Sequence, residues 1–291
     1  MTQIIQILLL GLALGGVYAL MASGMTLIFG VMRIVNLAHS AFILVGAYAT
    51  FVLFGKFGLD PILSMAITMP LLFVIGIVYY RVLFAPRADN PRFTDITVLV
   101  TFATALIIEG LLSYFFTGIY RSTTPRYAQT PVLVGPFYIP ESQLFATIVS
   151  VSLIVALWLF LQYTRSGNAI RATMQNRNAA QVVGVNVTWI STLAFGIGLG
   201  LAGASGSLIS FIFTFYPAKH VAWIGLIMSL VVLGGMGSLM GALAGSFLLA
   251  VAAAFVSFYA GPSWSPITFY LALFLILLLR PQGLFGKKVE G

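Results

Sequence analysis

IIQILLLGLALGGVYALMASGMTLIFG (residues 4–30) contains no charged residue and is longer than the ~20 apolar residues needed to cross a bilayer as a helix. No basic residue precedes it, and it exceeds the apolar core of a signal peptide, so it is expected to stay as a first helix rather than be cleaved. The same texture continues through the chain. Of 291 residues, 60% are hydrophobic and 7% charged, and the mean hydropathy is +1.08. A soluble chain of this length must show more polar surface to water, so the solvent here is lipid. The expected fold is an all-α polytopic transmembrane bundle, one membrane domain over residues 1–291 without a linker. Apolar runs predict nine spans at residues 4–24, 34–54, 62–84, 96–118, 142–162, 188–212, 222–240, 243–260 and 265–280. Length alone allows eight to ten. Connections are short except at residues 119–141 and 163–187.

The net charge of +8 does not point to nucleic acid, because the basic residues form short clusters between apolar runs and no stripe that a phosphate backbone could follow. They are topology signals. With the N-terminus outside, the inside positions hold Arg33, Arg81, Arg87, Arg92, Arg165, Arg171, Arg177, Arg280, Lys287 and Lys288, and the outside holds Lys56, Arg121, Arg126 and Lys219. That bias predicts an external N-terminus and a cytoplasmic C-terminus. With no cysteine, disulfides and thiolate metal sites are excluded, and nothing in the chain calls for a cofactor or a metal.

Many of the 29 glycines lie inside the spans. Small residues let helices approach closely in lipid, and the alternative role is a helix break at a pathway, permitted only where the backbone faces protein or water. Residues 18–40 (YALMASGMTLIFGVMRIVNLAHS) and 198–222 (GLGLAGASGSLISFIFTFYPAKHVA) align on a shared Ala-Ser-Gly. They are expected to run in opposite senses, as an inverted repeat requires, with a pathway where the halves meet.

Residues 32–48 (MRIVNLAHSAFILVGAY) bring Arg33, Asn36, His39 and Ser40 into apolar surroundings, where an unpaired polar group costs several kcal/mol. Read as one helix, the segment puts Asn36, Ser40 and nearly His39 on a single face, either as a pathway lining or gate or as an interhelical clamp. Glu109 is the one acid deep in a span; it reads as a structural acid or as the coupling site of an ion-driven secondary amino-acid transporter. A membrane enzyme is disfavoured because His39 and His220 are expected to be isolated and the six acids do not cluster. A channel would share this texture. In residues 163–187 the helical spacing of Ala172, Gln175, Ala179 and Val183 predicts a short amphipathic helix over roughly residues 169–183, ended by Gly184. Its basic face suits lipid headgroups or a groove on a soluble protein.

Four stretches resemble the permease subunits of branched-chain amino-acid ABC importers of the LivH type: GMTLIFGVMRIVNLAHSAFILVGAYA (24–49), SGNAIRATMQNRNAAQVVGVNV (166–187), VVLGGMGSLMGALAGSFLL (231–249) and LRPQGLFGKK (279–288). The run Asn36–His39 is closer to the H-type than to its M-type companion. The resemblance implies an inner-membrane permease that pairs with a homologous LivM-type subunit. A periplasmic solute-binding protein would feed the pair, and two cytoplasmic ATPases would drive it. Residues 171–184 then look like the coupling helix, with Arg171, Ala172, Gln175, Arg177, Asn178, Ala179 and Gly184 as contacts. No G-x-x-x-x-G-K-[ST] loop occurs, in keeping with a motor on another polypeptide. Family members commonly carry glycine and then a polar or acidic residue after the histidine; here Ser40 and Ala41 stand there, which leaves open branched-chain amino acids, urea, short amides and aromatic or other carboxylates.

Overall fold

The computed structural model describes residues 2–88, 90–128, 130–280 and 282–285. Lys287 and Lys288, used in the charge count, lie outside the described residues. The helices are α1 (Thr2–Met32), α2 (His39–Phe57), α3 (Pro61–Tyr79), α4 (Phe93–Phe116), α5 (Glu141–Tyr163), α6 (Arg165–Gln175), α7 (Arg177–Val182), α8 (Val187–Ile212), α9 (Lys219–Gly234), α10 (Leu239–Ala260) and α11 (Ser265–Leu279). Among the described residues eight helices are long and apolar enough to cross a membrane, and α9, at 16 residues, is shorter. The chain is therefore an all-α, multi-pass membrane bundle. The expected span over residues 222–240 is α9, which starts earlier and stops at Gly234 because Gly235 leaves the helical region at φ 95.

Helix starts outside the bundle follow side-chain capping. Asp60 accepts from the Ile62 amide at 2.8 Å ahead of Pro61, Asn186 from Trp189 at 2.9 Å, and Ser238 from Gly241 at 3.1 Å. The connection after α4 holds a hairpin, β1 (Pro131–Val134) and β2 (Phe137–Pro140), antiparallel with Val132 opposite Ile139. Gln6 ties it to α1 by bonding both backbone groups of Tyr138, at 2.6 and 3.1 Å.

The core is α8, surrounded by α1, α2 and α3. Its apolar window is 89% buried, against 11% for α11 at the periphery. Where lipid supplies no hydrophobic drive, close backbone approach must hold such a centre. The two Ala-Ser-Gly glycines do this. A Cβ on Gly24 would stand 2.5 Å from the Gly198 carbonyl oxygen, and one on Gly206 would stand 2.2 Å from that of Ile43. Hydroxyl contacts complete the seam: Thr50 and Thr68 both reach Ser207, at 2.8 and 2.7 Å.

The repeat is visible as matched geometry. Both α1 and α8 end in a six-residue break, 33–38 and 213–218. Each break re-enters helix through an alanine, Ala38 (φ −79, ψ −4) and Ala218 (φ −73, ψ −2). The next amide bonds back three residues in both, His39 to Asn36 at 3.1 Å and Lys219 to Tyr216 at 3.0 Å. The first break lies beside α6 and α7; the second pairs with Arg121 beyond α4.

Candidate functional site

The first break corrects the reading that sets Asn36 and Ser40 on one helical face at the start of a span over residues 34–54. Arg33 takes the left-handed conformation at φ 54, and α2 begins only at His39. Asn36 is therefore not helical and shares no helical face with Ser40. Instead the Asn36 carboxamide oxygen accepts from the Ala38 amide at 3.1 Å and shapes the turn into α2. All three residues, Asn36, His39 and Ser40, are buried. His39 Nε2 lies 3.2 Å from the Met21 carbonyl oxygen. A carbonyl can only accept, so His39 Nε2 donates to it and Nδ1 is the ring nitrogen left over. His39 Nδ1, Asn36 Nδ2 and Ser40 Oγ have no protein partner. A buried polar atom left unpaired costs about 1–3 kcal/mol, and three at one helix start form a polar point where the backbone is already free of the helix.

The α6–α7 segment also differs from expectation. One helix over residues 169–183 is two, because Asn176 is extended (φ −153, ψ 109) and its side chain caps α7 by accepting from Ala179 at 3.0 Å. Gly184, at φ 85, follows the last turn. A cavity of ≈330 Å³ lies between this joint and the first break, lined by residues 30–33 on one side and by Thr173 and residues 175–178 on the other. Gln175, Arg177 and Asn178 thus face Arg33 across it. Gly30 admits Met174, whose methyl would be 2.3 Å from a Cβ there. Ala172 is half-buried and its carbonyl accepts from Asn176, at 3.0 Å. Arg171 bonds Gln162 and Asn168, at 2.5 and 2.6 Å, and so braces α6 against α5. Ala179 and Gly184 are exposed, as are Val182 and Val183, at 88% and 77%.

The α9–α10 turn and the chain end gather at this same end. Gly237 packs on Gly30, and Leu284 donates its amide to the Leu233 carbonyl at 2.8 Å. Three stretches separated in sequence, around residues 30, 235 and 284, therefore pack on one another, and the first of them touches Met174 of α6.

Glu109 stands apart from these groups. Its carboxylate is 2.8 Å from His220 Nε2, with side chains 28% and 6% exposed respectively. His220 is thus not isolated as its sequence surroundings suggested; the partner is 111 positions away, on α4, and only the fold brings it to the start of α9. Sequence reading missed Met174, Asn176, Val182 and Lys219. The Ala-Ser-Gly alignment sets Lys219 opposite Leu37, and only the matched helix starts of α2 and α9 set it opposite His39.

With the geometry in place, comparison with known proteins is direct. Residues 7–279 match the family described as "Branched-chain amino acid transport system / permease component". The chain is 28% identical to the high-affinity branched-chain amino acid transport system permease protein BraD of Pseudomonas aeruginosa, over 97% of this chain and 96% of the relative. It is 27% identical to the permease protein LivH of Escherichia coli strain K12, over 95% and 94%. To the probable LivH of Methanocaldococcus jannaschii it is 25% identical, over 93% and 90%.

Proposed function

The chain belongs to the permease-component family of branched-chain amino acid transport systems, and from that premise we propose that it is one permease subunit of an ATP-driven importer. It forms half of a pathway for amino acids, branched-chain in the first instance, or related small carboxylates and amides. It pairs with a homologous subunit in the bacterial inner membrane, receives substrate from a periplasmic binding protein and is driven by two cytoplasmic ATPases. The chain catalyses no reaction itself.

The observation that carries this reading is the contact between the α6–α7 joint and the α1–α2 break. ATPase closure moves α7; Met174 and the cavity wall transmit the displacement to Gly30 and Arg33; the break then reorients Asn36, His39 and Ser40. These unpaired groups gate the pathway between two arrangements of the helix pairs, each biased by the nucleotide state. A non-helical segment absorbs such a change more readily than a helix, whose backbone bonds would have to break in lipid.

The ion-coupled alternative rests on Glu109, which the His220 contact accounts for structurally. Glu109→Gln keeps an acceptor for His220 and is expected to retain at least half of ATP-dependent leucine uptake in vesicles carrying the full complex. An ion-driven transporter would lose uptake in this variant and would not need ATP in the first place. Uptake that persists without ATP and disappears in Glu109→Gln rejects the importer.

A further inference from the structure

The second break opens on a cavity that the coupling route does not use. Of ≈250 Å³, it lies between the middle of α1, the Phe213–Lys219 turn, α9 and α11. That is below the ~300–1,000 Å³ of sites for drug-sized ligands. Its walls are aromatic: Tyr18 stacks on Phe213 at 6.2 Å between centroids and meets Phe269 edge-on at 5.5 Å, and Trp223 and Tyr270 extend the surface. Tyr270 reaches its place, hydroxyl 3.3 Å from the Ala222 carbonyl oxygen, because residue 225 is glycine; a Cβ there would stand 2.6 Å from the ring.

One charged side chain lines the cavity, Lys219, and no acid does. Among the described residues the one ion pair is Glu109 with His220, which leaves Lys219 without an acidic partner. Its ammonium lies 5.9 Å from the Tyr216 ring centroid. Lys219 is also the first residue of α9, so the positive end of that helix points the same way. An aromatic chamber with one uncompensated cation matches a small molecule with an apolar body and one carboxylate. The α-ammonium of an amino acid finds no carboxylate here and only ring faces to rest on.

We propose that this cavity binds small apolar carboxylates through Lys219, and that the site selects for the carboxylate and not for the ammonium group. The inference deepens the permease reading and rests on it. It also joins the site to both breaks: the ligand touches the second directly, and the first through Met21, which lines the cavity while its carbonyl accepts a hydrogen bond from His39 Nε2.

The test is equilibrium binding to the purified chain in detergent, with L-leucine, 4-methylpentanoate (carboxylate without ammonium) and L-leucinamide (ammonium without carboxylate) as probes. The two acids are expected to bind within about tenfold of each other, and the amide at least about tenfold more weakly. Lys219→Met is expected to weaken both acids about tenfold, Lys219→Arg to restore them, and Ala222→Phe, which fills the chamber without touching the charge, to abolish binding. Melting temperatures establish that each variant is folded, and the arginine variant separates loss of charge from loss of structure. Equal binding of amide and acids, no binding of either acid to the unaltered chain, or unchanged binding by Lys219→Met would overturn the proposal. Those results leave the permease reading untouched, because it is read separately as ATP-dependent uptake by the full complex.

Discussion

Replacing Val182 and Val183 together by aspartate is expected to abolish recovery of the ATPase subunits with the permease and to reduce ATP-dependent uptake at least about a hundredfold, while the bundle melts as before. The two side chains are 88% and 77% exposed and sit on the last turn of α7 before Gly184. On the proposed topology they stand at the cytoplasmic end, where they face water and not lipid. Adjacent exposed valines on a short helix are costly to hydrate unless a partner covers them. The fold does not use their side chains: Val183 contributes its amide to the Ala179 carbonyl at 3.2 Å, which aspartate preserves. Buried apolar contacts at the centre of an interface carry most of its affinity, and two carboxylates there would be desolvated without partners. Arg171 is a poorer probe, because replacing it also breaks its bonds to Gln162 and Asn168. Co-purification and vesicle uptake measure the effect. Full ATPase recovery by the double variant would mean that the motor docks elsewhere.

Gly206→Val is the other large expected effect, and it acts on the bundle itself. The first side-chain carbon would lie 2.2 Å from the Ile43 carbonyl oxygen and 2.6 Å from the Ala47 amide nitrogen. Both are backbone atoms, so α2 as a whole must move away from α8 and open the Thr50–Ser207–Thr68 hydroxyl contacts. A cost above ~3 kcal/mol follows from overpacking alone. The expected outcome is loss of monodisperse protein in detergent, or a melting temperature lower by more than about 5 °C. Gly55→Ala, on the same α2 but with nothing within 4 Å of its new methyl, is expected to be neutral. Equal melting of both variants would show that α2 and α8 are not held by close approach.

Much of this architecture was legible beforehand because the driving term is local. A run such as residues 4–30 must be a membrane helix whatever it packs against, since lipid satisfies no backbone polar group. The repeat was legible through Ala-Ser-Gly, and family membership through four stretches in order. A kinked polar segment after each glycine-rich helix was legible too, but not the residues at which the helix stops and restarts. The alternation of Asn36, His39 and Ser40 satisfies a helical face, yet Arg33 leaves the helix at φ 54 and Asn36 bonds its own backbone two residues on. Asn176 did the same to the expected amphipathic helix. Such side chains offer the backbone a local substitute for helix bonds, and whether they prevail depends on what is packed around them.

The amino-acid sequence alone determined that the chain lives in lipid, roughly where it crosses, and to which family it belongs, because these follow from apolar length, spacing and matching motifs. Tertiary structure alone decided which distant groups meet. It joined Glu109 to His220 across 111 positions, set the α6–α7 joint against the first break, and gathered Tyr18, Lys219 and Phe269 around one cavity. The reason is physical: polar groups in a low-dielectric interior must find partners or remain costly, and a sequence records each group while only the packed bundle determines its neighbour.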